Sequence, residues 1–248
     1  MLKKNLELPK EIKILLQGFP GISGRGYLGW SSVVLLDFDK KILFDTGNWG
    51  DREILIKRLK EEGLKLDDID IIILSHFHFD HSINLPLFKK ADIIFSKKEI
   101  EYADKNKEDI FIPEFIGDYL KSIRERLRPI ESNTKLDEKI TLIETPGHTL
   151  GSISCLIEYE DFSIMITGDA IKNGYEFISR IVDISVDREA SKNSIKKIKK
   201  MADIIIPGHD RPFYFKNKEL YYLNELEQEI MVRSCPYNKS WTTFKIIF

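Results

Sequence analysis

The chain has 248 residues, of which 42% are hydrophobic, with two cysteines and a formal net charge of −2 at neutral pH. These values allow a single domain over residues 1–248 with a sizeable core, and they exclude a disulfide framework and a global basic field. No apolar run approaches membrane-spanning length, so we expect a cytoplasmic protein with a small-molecule substrate and no membrane partner. Nucleic acid is a less favoured partner, and a homodimer stays an open alternative.

The first half of the chain opens with strand-like runs at residues 11–17, 32–38 and 41–44. A helix is predicted over 51–63, because apolar residues recur at helical spacing and Gly63 supplies a C-terminal stop. The continuous apolar run I-D-I-I-I-L-S predicts a strand buried on both faces, which leads directly to His76. A second strand, A-D-I-I-F-S, precedes a polar helical stretch from 97 to about 128.

The second half opens with strands at residues 139–144, 152–158 and 162–167. A helix is predicted over 187–201, followed by the strand A-D-I-I-I-P. Residues 218–233 are expected to close the chain as a helix with an irregular tail. Each half is therefore rich in strands with helices between them, which favours two sheets packed face to face with helices outside.

All five histidines of the chain stand in settings that suit a metal ligand. His76, His78 and His81 lie within six residues, while His148 and His209 each follow a Pro-Gly turn. Neutral imidazole is the commonest metal ligand in proteins and needs a fixed backbone to aim it. Positions i and i+2 of an extended segment project to the same side, so His76 and His78 can reach one metal.

Carboxylates accompany these histidines at two places. Asp80 and His81 follow as the chain turns away from the strand, which moves them toward a second, neighbouring position. Asp169 ends another apolar strand in the run I-T-G-D-A, where a carboxylate can bridge two metals. His148 and His209 complete two ligand sets, and zinc accepts this mixture of nitrogen and oxygen ligands.

The run H-F-H-F-D-H matches the H-x-H-x-D-H signature of the metallo-β-lactamase superfamily. The runs L-F-D-T-G, T-P-G-H, T-G-D and P-G-H resemble its other motifs, and they occur in the same order. The chain also resembles a small single-domain subgroup close to metallo-β-lactamase domain-containing protein 1. The resemblance implies an α/β (α+β) fold, a four-layer αββα sandwich of two mixed sheets face to face with helices outside.

By the same resemblance, seven residues would hold two Zn²⁺ ions, with Fe or Mn as alternatives at either position. The two sets would be His76, His78 and His148 for one metal, Asp80, His81 and His209 for the other, and Asp169 between them. Asp45 would brace the histidine loop from behind, although the turn D-T-G needs an Asp or Asn for local hydrogen bonding in any case.

Metal-bound water has its pKa lowered toward about 7, which supplies hydroxide at neutral pH. The resemblance implies that Asp80 orients this nucleophile or carries a proton to the leaving group. Our leading hypothesis is hydrolysis of an ester, thioester or lactone. The alternative is a phosphodiesterase or nuclease that uses the same metals, and a third is a non-catalytic metal-binding protein.

Three residues are candidates for substrate binding. The run G-R-G-Y-L-G fits G-x-G-x-x-G, but a strand follows it where a dinucleotide site needs a helix, so residues 18–29 are predicted to form a hairpin loop. Trp30, at the end of that loop, is expected either to contact substrate or to pack. Lys172 occupies the position where acyl-homoserine lactonases often carry a tyrosine, and Tyr175 lies close to it in the sequence.

Overall fold

In the computed structural model, which describes residues 7–233 and 241–247, the strands are in chain order β1 (Ile12–Leu16), β2 (Ile22–Ser23), β3 (Gly26–Tyr27), β4 (Val33–Asp37), β5 (Lys41–Phe44), β6 (Ile71–Ile73), β7 (Asp92–Ser96), β8 (Leu127–Ile130), β9 (Thr134–Lys135), β10 (Ile140–Glu144), β11 (Ile153–Glu158), β12 (Ser163–Ile166), β13 (Ile204–Ile206), β14 (Phe213–Lys216), β15 (Glu219–Tyr222), β16 (Glu227–Val232) and β17 (Thr242–Ile247). The α-helices are α1 (Arg52–Glu61), α2 (Phe79–Ser82), α3 (Lys97–Lys105), α4 (Ile116–Ser122), α5 (Gly174–Ser179) and α6 (Arg188–Met201).

Two mixed sheets organise these strands. The first sheet has the order β1-β4-β5-β6-β7-β8, with antiparallel pairs up to β5 and parallel pairs from β5 to β8. The second has the order β15-β14-β13-β12-β11-β10-β9 and is antiparallel except between β12 and β13. Two small hairpins, β2-β3 and β16-β17, stand apart from both sheets.

Three apolar clusters separate four layers, because successive side chains of a strand point to opposite faces. Val34 and Ile166 belong to the cluster between the two sheets. Leu35, on the other face of β4, packs in a second cluster with Leu55 of α1. The outer face of the second sheet, including Met165, packs under α5 and α6 in the third cluster. The predicted αββα sandwich with two mixed sheets is therefore confirmed.

The helix predicted over 218–233 is wrong, because this segment forms β15 and β16. Asn217 and Lys218 have φ values of 53° and 69°, and together they make the two-residue turn that reverses β14 into β15. Such turns need positive φ at both central residues. Of the tail beyond residue 233, 242–247 is a strand and 234–240 lies outside the described residues.

The stretch predicted to be helical from 97 to about 128 divides into α3 and α4 with a loop between them, and its predicted end is wrong because residues 127 and 128 begin β8. None of the helices in the described part of the chain is both long enough and apolar enough to cross a membrane.

Candidate metal centre

Strand ends deliver the predicted ligands to one edge of the sandwich. His76 follows β6 by three residues, Asp169 follows β12 by three, and His209 follows β13 by three. His148 follows β10 through a turn in which Gly147 has a φ of 140°. Only glycine adopts this conformation readily, and a Cβ at Gly147 would also lie within 2.3 Å of the backbone nitrogen of Ser191.

The structure brings all seven predicted ligands together. Their donor atoms form three groups in which every atom lies within 4.8 Å of the others. These groups are His76, His78 and His148; His76, His81 and Asp169; and Asp80, His81 and His209.

Asp169 lies between the two sets of histidines. Its Oδ1 atom is 3.2 Å from Nε2 of both His81 and His209, and its Oδ2 atom is 3.3 Å from Nε2 of His148. The Oδ2 atom of Asp80 lies 3.3 Å from His209 Nε2, on the cavity side. A carboxylate that reaches both sets has the geometry of a bridging ligand.

Each imidazole is held from behind by its other ring nitrogen, as is usual for histidines that bind metals. The partners are Ser75 Oγ for His76 (2.9 Å), Asp109 Oδ2 for His78 (3.4 Å), Asp45 Oδ2 for His81 (2.7 Å), the Ile184 carbonyl for His148 (2.8 Å) and the Trp30 carbonyl for His209 (3.1 Å). Four of the inward-facing nitrogens are therefore Nε2, and that of His78 is Nδ1.

The atoms that face inward include three that lack a hydrogen bond among the described residues although they are buried. They are Nε2 of His76, Nε2 of His81 and Oδ1 of Asp169. Buried polar atoms without partners are rare and call for an explanation. Nitrogen and oxygen donors that converge in this way fit divalent transition metals, which would satisfy all three.

Asp45 lies behind the histidine loop with a φ of 59°. Its Oδ1 atom accepts a hydrogen bond from the Ser75 backbone (2.7 Å), and its Oδ2 atom accepts from Ser75 Oγ (2.8 Å) and from the ring of His81. These contacts are those of a brace, and they go beyond the local bonding that a D-T-G turn requires. Positive φ is unusual for a residue other than glycine and marks a position that its surroundings constrain.

Two of the predicted ligands have the charge state in which they can bind a metal. Burial and the neighbouring His81 and His78 lower the pKa of His76 well below its usual value. Burial acts to raise the pKa of Asp169, but His209, His81 and His148 together hold that pKa well below its usual value. His76 is therefore neutral and Asp169 ionised, which are the forms that ligate metals.

A cavity of about 280 Å³ opens onto these ligands. Its wall includes five aromatic side chains: Phe19, Tyr27, Phe79, Phe111 and Tyr175. Among the described residues that line it, Lys172 is the only lysine or arginine, and its Nζ atom lies 2.8 Å from Oε1 of Glu176. The predicted hairpin loop is confirmed and forms one wall of this cavity, with Ile22 paired to Tyr27.

The structure separates the three candidate substrate residues. Lys172 and Tyr175 both line the cavity, whereas Trp30 is not among the lining residues. The ring of Trp30 packs at 5.5 Å from that of Phe19, and its carbonyl holds His209. Trp30 thus acts on the site through its backbone and its packing.

Sequence reasoning missed two acids near the centre. Asp109 contacts the ring of His78. Glu99 is fully buried and accepts hydrogen bonds from the Phe77 backbone (3.0 Å) and from Thr149 Oγ1 (2.7 Å). Glu99 thereby ties the loop of His78 to the loop that carries His148. Neither acid lies in a motif, so no local pattern marks them.

The family model and the similar proteins below point to the same family. The family model described as the metallo-beta-lactamase superfamily matches residues 24–209. A probable metallo-hydrolase of Methanocaldococcus jannaschii is 34% identical over 70% of this chain and 72% of its own length. Metallo-beta-lactamase domain-containing protein 1 of Xenopus laevis is 28% identical over 83% of this chain and 82% of its own. N-acyl homoserine lactonase AiiA of Bacillus thuringiensis subsp. kurstaki is 32% identical over 63% and 62%.

Two solved structures have a similar fold. A Thermotoga maritima protein assigned to the metallo-beta-lactamases superposes with a TM-score of 0.64 and 25% identity, covering 82% of this chain and 98% of that one. A mutant of AiiA from B. thuringiensis has a TM-score of 0.57 and 26% identity over 72% of this chain and 80% of its own. That structure holds N-decanoyl-L-homoserine at its active site.

Proposed function

This chain belongs to the metallo-β-lactamase superfamily and is a metal-dependent hydrolase, and we propose that it uses two zinc ions to cleave an ester, thioester or lactone. The family predicted from the histidine signature is confirmed, whereas the metal and the substrate class are our proposal. Zinc accepts the mixture of imidazole and carboxylate ligands that converge here.

The lining of the cavity is the observation that favours an acyl substrate. Among the described residues of its wall, five are the aromatic residues named above and four are acids: Asp80, Asp169, Glu176 and Asp183. The ammonium group of Lys172 already forms an ion pair with Glu176. A phosphodiester site would be expected to add basic side chains to the metals, but Lys172 is the only lysine or arginine among the described residues of the lining. An acyl group needs no such cation and can pack against the aromatic rings.

The positions of the ligands indicate which residues would hold each metal ion. One ion would be held by His76, His78 and His148, the other by Asp80, His81 and His209, with Asp169 reaching both. When bound, such ions lower the pKa of water and stabilise negative charge on a reacting oxygen.

The protein's own groups supply orientation and proton transfer. Asp80 borders the cavity, and its Oδ2 atom faces His209, so its carboxylate can accept a proton from the attacking water and return it to the leaving oxygen or sulfur. The loop of residues 18–29 contributes Phe19 and Tyr27 to the wall of the cavity. AiiA, which binds an acylated homoserine at its active site, supports an acyl substrate for this chain.

A substrate panel tests the proposed function. Zinc-reconstituted protein would be assayed on an aryl ester, a short-chain thioester, a γ-lactone and an aryl phosphodiester. We expect kcat/KM for at least one acyl substrate to exceed that for the phosphodiester by about tenfold or more, equivalent to about 1.4 kcal/mol of transition-state discrimination. A preference of the same size for the phosphodiester would reassign the protein to the alternative class. His78→Ala serves as the inactive reference, and full activity in that variant would contradict the proposed ligand set.

Asn48 anchors the loop over the cavity. Its Nδ2 atom donates to the carbonyls of Leu28 (3.2 Å) and Gly29 (3.0 Å). Since each net hydrogen bond contributes about 1 kcal/mol, Asn48→Ala is expected to raise KM by about tenfold with little change in kcat. Steady-state kinetics on the best acyl substrate measures both constants.

The matched control is Asn133→Ala. The side chain of Asn133 likewise bonds the backbone, here by accepting from the N–H of Glu144 at 2.8 Å, but Asn133 is not among the residues that line the cavity. Its KM is expected to equal that of the unmodified protein. If Asn48→Ala lowered kcat and left KM unchanged, the loop-anchoring role would be wrong.

A further inference from the structure

His78 differs from the other four histidines in its orientation. It turns Nδ1 inward, 2.9 Å from Nε2 of His148, and directs Nε2 outward to Oδ2 of Asp109 at 3.4 Å. Asp109 comes from the loop between α3 and α4, 31 positions away along the chain. It stands outside every motif of the ligand set.

Asp109 is itself held in place by two donors. The hydroxyl of Tyr102 donates to Oδ2 at 2.6 Å, and the backbone N–H of Phe111 donates to Oδ1 at 3.0 Å. Tyr102 lies on α3 with 5% of its surface exposed, so the donor is fixed by packing. Both oxygens of the carboxylate are therefore oriented by donors of the protein itself, and Oδ2 is directed at the ring of His78.

The same segment forms part of the cavity wall. The carbonyl of Phe111 accepts a hydrogen bond from the Phe79 backbone at 2.8 Å. The ring of Phe111 lies 5.5 Å from that of His78 and lines the cavity. The loop is thus joined to the histidine loop at His78 and at Phe79, and a shift of Asp109 would displace the ligand and the wall together.

Asp109 occupies the same place behind His78 that Asp45 occupies behind His81. Each of the two ligand sets therefore contains one histidine whose outer nitrogen meets a carboxylate. A carboxylate in this position fixes which ring nitrogen carries the proton and makes the inner nitrogen a stronger ligand.

We propose that Asp109, oriented by Tyr102, is a positioning residue that holds the proton on Nε2 of His78 and directs Nδ1 to the metal. This inference rests on the metal site of the proposed function and is independent of the substrate. Groups that support a metal ligand in this way typically contribute 10- to 100-fold to metal affinity.

The test is competition for zinc between the protein and a chromophoric chelator. Asp109→Asn is expected to weaken the binding of one zinc equivalent by about 10- to 100-fold and to leave the other within about threefold. Tyr102→Phe keeps the carboxylate but removes its donor, and we expect a smaller loss of about three- to tenfold at the same equivalent. Activity of both variants should recover at saturating zinc, which a purely structural defect would not allow.

The matched control is Asp104→Asn, an exposed acid on α3 that pairs with Lys107 at 3.1 Å. Its zinc affinity should equal that of the unmodified protein. If Asp109→Asn and Tyr102→Phe both bind two equivalents as tightly as that control, the inference is overturned. Should Asp109→Asn fail to fold, Tyr102→Phe alone decides the matter.

The two proposals fail separately. Weakened zinc binding in Asp109→Asn, together with no acyl hydrolysis by the unmodified protein, would uphold the positioning role and reject the substrate class. Acyl hydrolysis by the unmodified protein, together with unchanged zinc affinity in the variants, would uphold the substrate class and reject the positioning role.

Discussion

Asp169→Asn is expected to lower kcat/KM by about 1000-fold and to leave at most one metal tightly bound. Asp169 contacts both histidine sets, with Oδ1 at 3.2 Å from His81 and His209 and Oδ2 at 3.3 Å from His148. Asparagine has the same shape but no charge and only one acceptor oxygen. A loss of about 4 kcal/mol of transition-state stabilisation corresponds to the stated factor.

Zinc titration and steady-state kinetics check this variant against Asp161→Asn. Asp161 is exposed and lies just before β12, the strand whose other end leads to Asp169. The control should keep full activity and both metals. Asp169→Asn with two tightly bound metals and activity within tenfold of normal would show that the carboxylate does not join the two sets.

Gly208→Ala is expected to remove metal binding and to lower the free energy of unfolding by about 1–3 kcal/mol. A Cβ at Gly208 would lie 2.2 Å from Oδ1 of Asp169 and 2.8 Å from the carbonyl oxygen of Gly168. The backbone of Gly208 cannot retreat easily, since its N–H donates to Ile171 at 3.0 Å and its carbonyl accepts from Ser32 at 2.7 Å. The added methyl group must therefore displace the bridging carboxylate.

Gly117→Ala is the matched control for this change. A Cβ at Gly117 meets no atom within 4 Å, and Gly117 lies within α4, where alanine is favoured over glycine by about 0.5–1 kcal/mol. Denaturant unfolding and zinc titration should show a slightly stabilised protein with both metals. If Gly208→Ala also bound two metals at normal affinity, the close packing behind Asp169 would not be required.

The metal ligands could be predicted from the sequence because their arrangement depends on short spacings. His76 and His78 need only an extended backbone to face the same way, and Pro-Gly turns fix His148 and His209. Asp109 is different, since its contact with His78 depends on how the loop after α3 folds back over 31 positions. No local pattern encodes that path.

Residues 218–233 show that a clear local pattern can also predict the wrong structure. Their apolar spacing and strong helix formers predict a helix, yet the turn at Asn217 and Lys218 pairs β14 with β15 in the second sheet. Phe213 of β14 is fully buried in the cluster beneath α5 and α6. Tertiary pairing thus outweighs local propensity, which is weak over a single segment.

Metal content is the most direct test of the account. Protein reconstituted with zinc, freed of unbound metal and measured by elemental analysis should contain two zinc ions per chain, because the seven inward-facing ligands form two sets that meet at Asp169. His78→Ala measured in parallel should retain no more than one. Less than one zinc ion per chain in the unmodified protein, with no activity restored by added zinc, would contradict the two-metal centre.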